Sequence, residues 1–137
     1  MIWRRRLRDD RGSVSVELVV IAPLFGLLLA AVIAVGRVHN AHADVDAAAR
    51  MAARELSIAR DPSARLAQAE QSAAITLDVG TKSCESMSFQ AVITVERVEV
   101  TVACAVGLQE AALLPLPGTM MISATASELR DRYREQS

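Results

Sequence analysis

The sequence predicts an α+β fold: a long N-terminal helix, transmembrane then amphipathic, a short second helix, and a small three-stranded antiparallel sheet with one disulfide. Three observations predict it. Residues 18–36 are nineteen consecutive uncharged, mostly apolar residues, which at ~1.5 Å rise per residue match the ~30 Å hydrocarbon thickness of a bilayer. Beyond that run Val38, Ala41, Val45, Ala48, Ala52, Leu56 and Ala59 recur at spacings of three and four, one face of a helix. From Phe89 onward the period changes to two, in segments rich in valine, isoleucine and threonine.

In chain order, residues 1–12 are a basic leader without apolar periodicity. Ser13 or Ser15 is a candidate cap for the first helix, which reads as one rod over residues 13–60, about 70 Å long. Its first part, 13–36, is the membrane-spanning segment. Pro23 lies inside that segment, where a proline frees a carbonyl one turn back and bends the rod. Residues 37–80 read as exported amphipathic helix, with Asp44, Asp46, Arg50, Arg54 and Arg60 mostly off the apolar stripe. Asp61 followed by Pro62 is a cap with proline at the first helical position, so a second helix is expected over about 62–74.

Residues 81–137 read as the β region with a charged tail from Arg130. Strands are expected over 89–95, 98–106 and 120–127, with Phe89, Ala91, Ile93 and Val95 on one face and Val98, Val100, Val102, Cys104 and Val106 on another. Glu96 and Arg97 form the expected hairpin turn, without the favoured glycine or asparagine. Leu113, Leu114 and Leu116, in a proline-rich loop, are a candidate docking patch.

Charge sets the orientation. Residues 1–12 hold five arginines against two aspartates, whereas the remaining residues hold ten bases and fourteen acids. Basic residues beside a span stay cytoplasmic, which places the N-terminus inside and the rest outside. The pair Arg5 and Arg6 belongs to this cluster and is not read as a twin-arginine signal. Outside, Cys84 and Cys104 meet an oxidising compartment and are expected to pair, the alternative being two buried thiols.

A basic stub followed by an acidic remainder does not suit nucleic-acid binding. No nucleophile, base and acid set and no phosphate-binding glycine loop occurs, so the sequence gives no sign of an enzyme, a cofactor or a small-molecule substrate. Glu96 and Glu99 are the acid-base candidates left, and a solvated hairpin tip is the simpler reading. His39, His42, Asp44 and Asp46 are the nearest thing to a metal set, and a polar helix surface emerging from the membrane accounts for them.

The junction carries the most specific signal. Gly12 precedes a small residue, Ser13, and Glu17 stands directly ahead of the apolar run. This arrangement resembles the class III signal of type IV pilin-like proteins, which a membrane aspartyl peptidase cuts on the cytoplasmic side after glycine. With Arg11-Gly12-Ser13-Val14-Ser15-Val16-Glu17-Leu18 and the following Pro23, the chain resembles the TadE-like family, pseudopilins of the tight-adherence (Flp) pilus machinery. The resemblance implies that Gly12 and Ser13 are the scissile pair and that Glu17 is the assembly determinant. It also implies a prepilin peptidase, other pilin subunits and a secretion platform as partners, besides the membrane. Leu18 stands where the major Flp pilins have tyrosine, which points to a minor or assembly component. Two other readings stay open: an uncleaved tether in the envelope, and an ordinary signal-peptidase site at Ala41-His42-Ala43 that releases a domain starting at Asp44.

Overall fold

The computed structural model describes residues 11–80, 84–109 and 117–130, with side chains from residue 17 onward. Two helices precede a three-stranded antiparallel meander: α1 (Arg11–Ser57), α2 (Leu66–Gly80), β1 (Cys84–Ile93), β2 (Arg97–Gly107) and β3 (Thr119–Leu129). This is the predicted α+β architecture, including the bond between Cys84 and Cys104.

α1 is a single helix of 47 residues that runs through Pro23. It is already helical at Arg11, so Ser13 and Ser15 lie inside it and do not cap it. Its other end comes three residues earlier than expected. The Ile58 amide still reaches the Arg54 carbonyl, but the Ala59 amide reaches back only to Leu56, and the Ser57 hydroxyl donates to the Arg54 carbonyl at 2.9 Å. The last turn thereby tightens and the helix stops.

Asp61 then organises the reversal. Its Oδ1 accepts from the Ser63 hydroxyl, the Ser63 amide at 3.1 Å and the Ala64 amide at 3.3 Å. The expected cap is there, but the first turn is tight, with the Arg65 amide on the Pro62 carbonyl, and regular α2 begins only at Leu66. α2 also runs to Gly80 and not to about residue 74. The extra turn and a half continues the buried series Ala69, Ala73, Leu77 against α1, which offsets the β-branched residues near its end.

The core lies between the second half of α1, α2 and one face of the sheet. Ala41, Val45, Ala48, Ala49, Ala52, Ala53 and Leu56 meet Ala69, Ala73 and Leu77 across the helix pair, and small side chains let the two backbones approach closely. Val98, Val100, Val102, Cys104 and Val106 of the central strand are fully buried beneath them, with Ile122 and Ala126 of β3. On β1 the inward row Met87, Phe89, Ala91 and Ile93 is only half-buried. α1 lies over β2 and β3, and α2 reaches β1.

β2 and β3 are longer than predicted at both ends, whereas β1 starts five residues earlier and ends two residues sooner, and one face assignment changes. Val95 does not continue the inward row of β1: it is 73% exposed in the turn. The Thr94 amide and hydroxyl both donate to the Arg97 carbonyl at 2.9 Å, and the Arg97 amide donates to the Thr94 hydroxyl. Val95 and Glu96 therefore make the two-residue turn, one position earlier than expected. The threonine hydroxyl supplies bonds that the missing glycine would have left to a tight backbone turn.

The ends of the domain can be told apart. α2 returns alongside α1, and its last residue reaches the level of Asp44: a Cβ at Gly80 would stand 2.7 Å from the Asp44 carboxyl carbon. Cys84 follows within four residues, so the start of β1, the end of β2 and the start of β3 lie at the end nearer the apolar part of α1. The far end holds the α1–α2 reversal, the 94–97 turn and Arg130. There the Arg130 amide donates to the Glu96 carbonyl, and its charge acts on Asp61.

Candidate functional site

The sequence places the candidate site in the first half of α1. Gly12 and Ser13 lie within the helix, on successive residues. Glu17 is exposed, and so are Leu18, Val19, Val20, Leu24, Phe25, Leu27, Leu28, Leu29 and Val32. Leu28, for example, is 60% exposed. Among the described residues nothing from the folded domain covers this surface, so its apolar area is available to lipid or to neighbouring helices. Among the described residues this is one helix long and apolar enough to cross a membrane.

Two glycines in that helix are not explained within the chain. A Cβ at Gly26 or at Gly36 would meet nothing within 4 Å. Gly36 ends the uncharged run, and α1 continues across it without interruption. Val38, two residues on, already packs against the core, so the folded domain begins where the apolar run stops.

Other sequence-level candidates are distributed as follows. His39 and His42 are exposed on α1, Asp44 adjoins Gly80, and Asp46 is paired with Arg50 one turn away. No group of three histidines, cysteines or acids suited to a metal ion occurs among the described residues. Glu96 is exposed in the 94–97 turn and Glu99 on the outer sheet face. Leu113, Leu114 and Leu116 lie outside the described residues. Cys84 and Cys104 join β1 to β2 at the near end, across the irregularity between Cys84 and Ser86.

Among the described residues, Asp61 is the group whose acidity departs clearly from the ordinary value. The Ser63 hydroxyl bond, then the Ala64 amide, hold its carboxyl below 3.8, with the Ser63 amide and Arg130 adding to the effect. It is a cap at the far end, remote from the apolar run. Sequence reasoning missed the close contact of Gly80 with Asp44, because only the antiparallel return of α2 brings these residues together.

A continuous helix, apolar and uncovered in its first half and packed on a small antiparallel sheet in its second, defines an α+β protein with one N-terminal helix fit to cross a membrane. Residues 12–54 match the family model described as TadE-like protein, so the chain is similar to that family over that segment. The match begins at Gly12, contains Glu17 and Pro23, and ends within the buried stripe of α1. No curated protein and no solved structure matches the chain.

Proposed function

We propose that this protein is a minor pseudopilin or assembly component of a tight-adherence (Flp, type IV-like) pilus, with a cytoplasmic N-terminus and an exported C-terminal domain. The observation that carries the reading is the family match over 12–54, because the scissile pair, the acid and the whole apolar run fall inside it. The role is structural and not catalytic. A prepilin peptidase cuts between Gly12 and Ser13, removing the basic leader and leaving the apolar helix on the exported domain.

The chemistry of the junction supports this. A carboxylate beside hydrocarbon costs on the order of a few kcal/mol if it stays charged and alone. Cutting at Ser13 creates an amine with a pKa near ~8 about one helical turn from Glu17. That amine, from the same chain or a neighbour, pairs with Glu17 and turns an expensive group into a register mark between stacked helices. The uncovered apolar surface then exchanges lipid for other pilin subunits as the chain joins the assembly on its secretion platform.

The test is the N-terminal residue and intact mass of the protein recovered from its own membrane. A start at Ser13 is expected. An intact leader identifies an uncleaved tether, and a start at Asp44 identifies an ordinary export signal. A cut before Asp44 would also remove Val38 and Ala41, which belong to the folded core. Glu17→Ala is expected to abolish piliation while leaving membrane insertion and the domain's unfolding temperature unchanged; unaltered piliation overturns the assigned role of Glu17.

A further inference from the structure

We propose that the sheet is one unit of a longer one: the outer edge of β3 in one copy pairs, in parallel, with the outer edge of β1 in a second copy beside it in the membrane. The inference rests on the anchored reading above, and not on leader cleavage. Among the described residues no strand covers either edge. Residues 119–127 of β3 contain no charge and no proline, and their pairing with β2 runs without a bulge. Along β1, residues 86–93 are likewise uncharged. Exposed edges of a monomer are ordinarily blunted by lysine, proline, a bulge or short length. Here β3 has 11 residues and β1 has 10, with the single irregularity of β1 confined to its first residues.

Geometry selects the partner and the direction. β1 and β3 both start at the near end and finish at the far end, so both run away from the apolar part of α1. Copies anchored in one membrane share that direction and the same height. Any edge pairing between them is therefore parallel, and β3 of one copy stands level with β1 of the next along its whole length. A two-fold pairing of β3 with β3 does not satisfy this, because the slanted bonds of a parallel ladder give the two strands different roles. What remains is the head-to-tail contact of β3 with β1, which repeats from copy to copy and generates a row or ring.

The burial pattern agrees. The inward row of β2 is fully buried, whereas Met87, Phe89, Ala91 and Ile93 of β1 are only half-covered. In the continued sheet that row lies beside Met120, Ile122, Ala124 and Ala126 of the neighbour's β3, under the neighbour's α1, which completes its cover.

The existing register names the residues that meet. Gln90, Thr101 and Thr125 lie in one row across the sheet, as do Ser88, Ala103 and Ser123, and Val92, Glu99 and Ser127. Full-length chains carrying Gln90→Cys or Thr125→Cys, with different tags, are co-expressed in native membranes and treated with a short bismaleimide; the native cysteines are bonded to each other. Mixed-tag dimers are expected at ten-fold or more the yield of either variant alone. The pairs Ser88→Cys with Ser123→Cys and Val92→Cys with Ser127→Cys repeat the test in the rows on either side, at the same register. Adding Ser123→Lys to the Thr125→Cys chain is expected to cut the cross-link at least five-fold while the Cys84–Cys104 bond stays intact. Silence of all three mixed pairs in chains recovered with the membrane overturns the inference. So does equal dimer yield from Thr125→Cys alone, or a cross-link indifferent to the lysine. Recovery of the chain outside the membrane overturns the anchored reading, and this inference with it, in the same fractionation.

Discussion

Asp61 shows how much one side chain can settle. It ends the reversal between the helices by accepting three bonds from two residues. Because its folded acidity is raised by the Ser63 hydroxyl first, it binds its proton less readily folded than unfolded. The stability it contributes is therefore complete above its unfolded value near 3.8 and is lost as pH falls through the lower folded value. Asp61→Asn keeps an acceptor and is expected to flatten this part of the acid unfolding profile below about pH 4. Asp61→Ala is expected to lower the unfolding temperature at neutral pH as well, which a thermal melt of the two variants separates. This residue was legible in the sequence, since aspartate before proline after a helical stripe has a local meaning. Val95 was not: its alternation with Phe89, Ala91 and Ile93 is intact, and only the Thr94 bonds to Arg97 show that the strand has already ended.

At the scale of elements, the second half of α1 divides into a face that holds the domain and one that does not. Leu56 is wholly buried and Met51 is 52% exposed, as is Ile58, just past the helix end, at 53%. Leu56→Ala is expected to cost about 3 kcal/mol through lost burial and a cavity, and Ile58→Ala less than about 0.5 kcal/mol, measured by chemical denaturation. The disulfide closes a loop of sequence separation 20. Its reduction is expected to cost about 3 kcal/mol in the chain-entropy account, read as a lowered denaturation midpoint of the folded domain when reductant is added. The helices and strands themselves were legible because their periods of 3.6 and two are local properties. Element ends were less so. The extension of α2 to Gly80 depends on Leu77 finding α1, and the longer strands depend on partners across the sheet, which no single segment encodes.

For the whole molecule, the apolar run and the folded domain form one continuous object. The candidates Gly12, Ser13 and Glu17 stand out in the sequence as a short ordered string ahead of an uncharged stretch, and the family match over 12–54 includes them. The direction of the sheet relative to that stretch was not, since it depends on the return of α2 and on which end of the sheet follows Gly80. That direction is what makes both outer edges of the sheet run away from the apolar run, and it makes the level pairing of neighbouring copies a question for cross-linking.

The unbroken passage of α1 across Gly36 also fixes a phase. With 3.6 residues per turn, each residue added there would swing the domain by about 100° and raise it by about 1.5 Å. The folded domain is thus keyed to the azimuth of the apolar half of α1 like a cam on a shaft: turning that half turns the sheet, with no swivel between them to absorb the rotation.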